Sequence, residues 1–176
     1  MELESKILSK EILQYLYDNG KTLGTAESCT GGRIAETIIA VPGASNYFKG
    51  GVVSYSNDVK VNVLHVDADL IAEKTAVCEE VAVQMVQGAC DVLGCDYAIS
   101  ATGVAGPAGG TPEIPVGTIW IGYGAKDYVH TICLSEDNGR DINIAKATNL
   151  ALRKFLEYYK EKNPVVQESD ADGENQ

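Results

Sequence analysis

Residues 21–40 read KTLGTAESCTGGRIAETIIA, a β-inclined segment followed by a turn and then by an apolar pattern with helical spacing. Residues 21–26 predict a strand, and residues 31–40 predict a helix that ends before Val41-Pro42-Gly43. Ser28 therefore falls in a strand-to-helix turn. In such a turn a hydroxyl group and converging backbone N–H groups can form a nucleophile and an oxyanion hole.

The rest of the chain alternates helices and strands. Helices are predicted over residues 3–16, 57–63, 79–93 and 140–159, and strands over residues 51–55, 97–101, 118–123 and 129–134. The last two strands are predicted to form a hairpin. This alternation predicts an α/β fold, a three-layer α/β/α arrangement around a central mixed sheet.

A glycine- and proline-rich segment separates the third predicted strand from the fourth. Residues 102–117 contain five glycines and three prolines. A loop of this length inside a compact domain is usually functional. We expect a single domain over residues 1–163 and a disordered acidic tail over residues 164–176, which contain four carboxylates and no Lys or Arg.

The composition excludes several classes of protein. A formal net charge of −11 opposes binding to the phosphate backbone of nucleic acids, which usually requires a basic face. No apolar run reaches the roughly 18 residues of a membrane span and no signal peptide is recognisable, so we expect a cytoplasmic protein with no membrane partner. The five cysteines form no Cys-x-x-Cys pair, and the histidines His65 and His130 lie far apart, so we predict no metal site.

A serine nucleophile needs a base, and histidine is scarce in this chain. Lys60, made neutral by burial, is the candidate base, and Tyr55 could relay a proton to it, since both follow the strand predicted over residues 51–55. The simpler alternatives stay open on these residues alone. Ser28 or Thr30 could merely cap the helix, Lys60 could be a solvated lysine and Tyr55 a core residue.

Cys29, next to Ser28, is expected to be a small buried apolar residue.

Five segments together are recognisable as a family pattern. They are Thr25–Gly32, Val41–Ser45, Tyr47–Asn57, Thr102–Pro107 and Pro115–Thr118. In order and spacing, from about residue 5 to residue 160, the chain resembles the CinA C-terminal domain family. The characterised enzymes of that family are nicotinamide mononucleotide deamidases of the PncC type. The resemblance implies hydrolysis of nicotinamide mononucleotide to nicotinate mononucleotide and ammonia, without a metal or organic cofactor.

The resemblance also implies roles for individual residues. Ser28 would be the nucleophile, Lys60 its general base and Tyr55 a proton relay or orienting group. The residues implied to bind the nucleotide substrate are Glu27, Thr30, Gly31, Gly32, Thr102, Gly103 and Arg140. Among these, the helix start at residues 30–32 and Arg140 are expected to bind the phosphate. Thr102 and Gly103 are expected to line the part of the pocket that holds the pyridine ring.

The chain departs from the family pattern in places. Ile144 stands where relatives often have a second arginine, with Lys146 the nearest cation, and Ile114 stands where lysine is common. Longer relatives carry an additional N-terminal domain, for which 176 residues leave no room.

Ile144 keeps one alternative function open, a non-catalytic ligand-binding or interaction protein with the family fold. A hydrolase of the same mechanism that acts on another amide or ester is also left open, because pocket shape decides the choice of substrate. Whether the chain forms a homo-oligomer is also left open.

Overall fold

The computed structural model describes residues 2–164. The helices are α1 (Glu2–Asp18), α2 (Arg33–Ile39), α3 (Asn57–Asn62), α4 (Ala68–Lys74), α5 (Glu79–Leu93) and α6 (Arg140–Lys162). The strands are β1 (Leu23–Glu27), β2 (Phe48–Val53), β3 (Tyr97–Gly103), β4 (Ile119–Ala125) and β5 (Tyr128–Leu134). A single 3₁₀ turn (Ala44–Asn46) precedes β2.

The strands form one five-stranded sheet in the order β2-β1-β3-β4-β5. The three strands β2, β1 and β3 are parallel, and β4 and β5 continue the sheet as an antiparallel hairpin. The predicted mixed sheet and hairpin are therefore confirmed. Because the parallel strands share one direction, their carboxyl ends meet at one edge of the sheet, where ligands of open α/β sheets usually bind.

Helices cover both faces of the sheet, which confirms the predicted three layers. On one face, α1, α2 and α6 pack over a large core that includes Ile34, Ile99 and Phe155. On the other face, α5 packs with the segment that contains α3 and α4, around Leu64, Met85 and other apolar side chains.

Several predicted boundaries were wrong. The structure starts the second strand at Phe48 and ends it at Val53, so Tyr55 lies outside the strand predicted over residues 51–55. The sequence of β2 contains two glycines and carries a weak strand signal; its pairing with β1 supplies the missing preference. Helix α4, which has no fully buried residue, was not predicted at all.

Two further observations complete the fold. Apart from Pro164, the predicted acidic tail lies outside the described residues. Within residues 2–164, no helix combines the length and the apolar character that crossing a membrane requires.

Gly88 lies in the middle of α5, where that helix passes closest to the backbone of Leu64. A Cβ atom at residue 88 would lie 2.0 Å from the Leu64 carbonyl oxygen. We expect Gly88→Ala to lower the free energy of unfolding by about 2 kcal/mol, because backbone must move to relieve the clash. Urea unfolding measures this change, with Val92→Ala on the exposed side of α5 as the control. A stabilised Gly88→Ala protein, the result that helix propensity alone would give, would contradict the packing described here.

Candidate active site

Ser28 lies at the carboxyl edge of the sheet, one residue after β1 ends. Its backbone N–H donates a hydrogen bond to the Ala101 carbonyl oxygen of β3 at 2.8 Å. On the other side, the Ser54 N–H donates to the Glu27 carbonyl oxygen, also at 2.8 Å. The hydrogen bonding of the sheet thus continues past the strand ends and fixes the segments after β1 and β2 next to each other.

Lys60 reaches Ser28 from helix α3. Ser56 caps that helix by accepting the Val59 N–H, and Lys60 follows one turn later. The Lys60 Nζ atom lies 2.9 Å from Ser28 Oγ and donates to the Ser54 carbonyl oxygen at 2.7 Å. Only 1% of Lys60 and 9% of Ser28 are exposed, so the structure brings the predicted nucleophile and base into direct contact in a nearly dry position.

Burial lowers the pKa of the Lys60 amine below that of a solvated lysine, and the neighbouring Cys29 thiol opposes this shift. Among residues 2–164, no carboxylate forms an ion pair with Lys60. A neutral amine can accept the Ser28 hydroxyl proton, and the Ser54 carbonyl then orients the amine by accepting one of its N–H groups.

The turn after β1 offers backbone donors beside Ser28. The Gly31 N–H donates to the Ser28 carbonyl oxygen at 3.0 Å. Within the described part of the chain, the N–H groups of Cys29 and Thr30 donate to no protein oxygen. Because these two N–H groups belong to the residues that directly follow Ser28, they are the candidate donors to an oxygen atom that develops negative charge there.

Glu27 has a structural role that the sequence did not predict. Its side chain is 1% exposed and turns back onto the start of α2. The carboxylate accepts hydrogen bonds from Thr30 Oγ1 (2.7 Å) and from the N–H groups of Gly32 (3.1 Å), Ile34 (3.0 Å) and Ala35 (2.8 Å). The Glu27 carboxylate therefore occupies the helix N-terminus, where the resemblance placed the substrate phosphate, and the expected substrate contacts of Glu27 and residues 30–32 stay predictions.

The end of β3 contributes backbone and packing. The Thr102 hydroxyl group donates to the Ala76 carbonyl oxygen at 2.7 Å, so it is engaged in holding the segment before α5. A Cβ atom at Gly103 would lie 2.5 Å from the Thr118 carbonyl oxygen, which explains the glycine. Both residues border the site, and neither presents a free polar side chain to a pyridine ring.

Arg140, the first residue of α6, lies on the other side of the site. Its Nη1 atom donates to the Gly106 carbonyl oxygen at 2.8 Å, and its Nη2 atom donates to the Tyr55 hydroxyl group at 3.3 Å. Tyr55 is 63% exposed. Within residues 2–164, its hydroxyl group contacts Arg140, and the relay contact with Lys60 is not formed.

Asn143, which the sequence did not indicate, holds the glycine-rich loop. It is buried and donates from Nδ2 to the Ala105 carbonyl oxygen at 3.0 Å and to Asp137 at 2.9 Å. Its position one turn after Arg140 on α6 is the only sequence signal that could have suggested it. Together Arg140 and Asn143 fasten the loop after β3 to the start of α6.

A separate cleft of about 450 Å³ lies between α1, α2 and α6 and is lined by residues that include Arg33, Thr37 and Asn149. Neither Ser28 nor Lys60 lines it. We place the chemistry at the strand ends, because Ser28 and Lys60 are buried there and in contact.

Comparison with known proteins agrees with this fold. The family model described as the CinA C-terminal domain matches residues 5–159. The chain belongs to the CinA C-terminal domain family. A CinA-like protein of Thermotoga maritima is 38% identical over 158 residues, and one of Leptospira borgpetersenii is 50% identical over 118 residues. These matches cover 90% and 67% of this chain but only 38% and 28% of the respective relatives, so the chain spans well under half of their length.

Solved structures of the CinA family share the fold. The competence/damage inducible protein CihA of Agrobacterium tumefaciens has a TM-score of 0.85 at 31% identity, covering 88% of this chain and 94% of that chain. The competence damage-inducible protein A of Klebsiella pneumoniae has a TM-score of 0.84 at 34% identity, covering 87% and 95%.

The departure from the CinA pattern at residue 144 has a structural consequence. Ile144 is 6% exposed and packs in the core under α6. Lys146, the nearest cation, contacts Glu136 at 3.7 Å and Asn138, away from Ser28. Arg140 is therefore the cation of α6 that borders the site.

The remaining candidate groups lie as follows. Cys29 is buried, as expected, and burial raises the pKa of its thiol to about 12. His65 is exposed in the loop after α3, and His130 stacks on Tyr123 with ring centroids 5.7 Å apart. Neither histidine reaches Ser28 among the described contacts, so Lys60 is the base that the geometry supports.

The lowered pKa of Lys60 makes the stability of the protein depend on pH. Between the folded and the unfolded pKa, the unfolded chain binds the additional proton, so stability rises with pH in this window. We expect Lys60→Met to remove a slope of up to about 1.4 kcal/mol per pH unit. Urea unfolding of both proteins from pH 6 upward measures the difference. If the free energy of unfolding changed with pH in the same way for wild type and Lys60→Met, Lys60 would bind the same number of protons in the folded and the unfolded state.

Proposed function

We propose that this protein is an amidohydrolase that converts nicotinamide mononucleotide to nicotinate mononucleotide and ammonia. The observation that carries the proposal is the contact between Lys60 Nζ and Ser28 Oγ at 2.9 Å, in a position where the amine is 1% exposed. A lysine used only for packing or solubility would keep its ammonium group in water. The mononucleotide as substrate rests on membership of the CinA family.

The first half of the reaction forms an ester. Neutral Lys60 accepts the Ser28 proton as Oγ attacks the carboxamide carbon, and the Cys29 and Thr30 N–H groups stabilise the oxyanion. The carbon–nitrogen bond then breaks, and the leaving nitrogen takes the proton from Lys60 to depart as ammonia.

The second half restores the enzyme. Water loses a proton to Lys60 and attacks the ester carbon, and the Ser28 oxygen leaves with that proton. The products are the free serine and the carboxylic acid, which ionises to the carboxylate by giving its proton to the released ammonia or to solvent, so atoms and charge balance with water as the only co-reactant.

Arg140 is the group that we assign to the substrate phosphate. It borders the site beside Tyr55 and Gly106, and its guanidinium can form paired hydrogen bonds to phosphate oxygens. The N-terminus of α2, by contrast, is filled by Glu27. We therefore assign the mononucleotide to the side of Ser28 that faces α6 and the loop after β3.

A purely binding function is the second candidate, because Ile144 removes one cation from the family pattern. The buried amine argues against it. Burying a lysine without an ion-pair partner costs free energy of folding. A protein that only binds its ligand would gain nothing in return for this cost.

Substitution of the nucleophile tests the function. We expect the wild-type protein to release ammonia from nicotinamide mononucleotide, and Ser28→Ala to lower kcat by at least about 10³-fold because no ester can form. An enzyme-coupled ammonia assay measures both rates.

The matched control is Ser45→Ala, which removes an exposed serine hydroxyl. It should keep the wild-type rate. Equal rates for Ser28→Ala and wild type would exclude the serine mechanism, and mononucleotide binding without turnover by the wild type would favour the binding function.

A further inference from the structure

Glu27 connects the nucleophile to the base through the backbone. Its carbonyl oxygen accepts the Ser54 N–H, and the Ser54 carbonyl oxygen accepts a hydrogen bond from Lys60 Nζ. Ser28 is the next residue in the chain. The position of Glu27 therefore sets both the start of the nucleophile turn and the anchor of the base.

The Glu27 side chain fixes the other end of the same turn. Its carboxylate holds the first turn of α2, so residues 28–31 are fastened between two points that belong to one residue. The turn can close over this short span because Gly31 and Gly32 have φ values of 60° and 99°. Residues with a side chain rarely adopt these backbone angles. If the carboxylate moved, the turn would no longer be held in place, and Ser28 Oγ would no longer point in a fixed direction.

Hydrogen-bond donors of the turn and of α2 stabilise the negative charge of the Glu27 carboxylate. Within residues 2–164, Glu27 forms no ion pair with a lysine or arginine. Three backbone N–H groups at a helix N-terminus and one hydroxyl group stabilise a carboxylate in place of a cation. Because Glu27 engages the N–H groups of the first turn of α2, the N–H groups of Cys29 and Thr30 are left for an oxyanion.

We propose that Glu27 is the positioning residue of this site: its buried carboxylate acts as a built-in anion that holds the Ser28 turn against Lys60. It keeps a substrate anion away from the N-terminus of α2 and directs the Cys29 and Thr30 N–H groups toward the oxygen of the reacting carbonyl group. The role rests on Ser28 as nucleophile, as in the proposed function, and does not depend on which amide is the substrate.

The test compares Glu27→Ala and Glu27→Gln with wild type. We expect kcat to fall by about 10²-fold in both, as for the loss of an oxyanion donor, while KM changes less than about threefold. The amide of Glu27→Gln keeps the shape but turns an NH₂ group toward N–H donors. It also serves as the second variant should Glu27→Ala fail to fold, which circular dichroism and urea unfolding report.

Rescue of kcat by formate distinguishes a positioning role of Glu27 from a loss of stability, because a loss of stability alone would not make kcat depend on formate. In Glu27→Ala, formate can enter the vacated space and accept the freed N–H groups. We expect it to raise kcat about tenfold over chloride at equal ionic strength, equivalent to about 1.4 kcal/mol from a carboxylate at a helix N-terminus. Glu36→Gln, an exposed glutamate on the same helix, is the matched control, with wild-type kcat and no response to formate.

Labelling of Ser28 by a fluorophosphonate, followed by intact mass, separates this role from the identity of the substrate. We expect slower labelling in both Glu27 variants than in wild type. Slow labelling of the variants alongside a wild-type protein that labels rapidly but releases no ammonia would reject the mononucleotide and retain the positioning role. A folded Glu27→Ala protein with wild-type kcat, or with only a raised KM, would overturn the role of Glu27.

Discussion

An amine buried without a counter-ion is the constraint around which this site is arranged. Lys60 lies against Ser28 Oγ and the Ser54 carbonyl oxygen, and both contacts can be satisfied by a neutral amine. Desolvation lowers its pKa, which converts an ordinary lysine into a base that works without histidine. The sheet fixes the anchor of this group, the Ser54 carbonyl oxygen that accepts its hydrogen bond.

The parallel strands provide that anchor. Because β2, β1 and β3 run in the same direction, the segments that follow them start at one edge, and backbone hydrogen bonds join Ser54 to Glu27 and Ser28 to Ala101. The nucleophile, the base and the donors of the turn are therefore placed by backbone contacts of regular geometry. The cation Arg140 arrives separately, on α6, and fastens the loop after β3.

Much of this arrangement could be predicted from the sequence, for physical reasons that are local. A short β-inclined segment followed by Ser28 and two glycines predicts a strand-to-helix turn, and the scarcity of histidine directs attention to Lys60. The mixed sheet follows from the order of helices and strands. These signals depend on neighbours within a few residues.

The parts of the site that the sequence did not predict depend on contacts between segments that are far apart in the chain. The Glu27 carboxylate was expected near substrate, but the direction of this side chain at the end of β1 is decided by the N–H groups of α2, which the sequence does not orient. The Arg140 contact with Gly106 spans 34 residues, and the exposure of Tyr55 follows from where β2 ends. A weak strand signal around two glycines could not locate that end.

The ionisation of Lys60 tests the central claim most directly. Titration of the Lys60 ¹³Cε chemical shift in protein labelled at lysine, assigned with Lys60→Met, measures its pKa in the folded state. The arrangement predicts a midpoint clearly below that of the exposed lysines in the same spectrum. A Lys60 midpoint equal to that of the exposed lysines would contradict a neutral buried base.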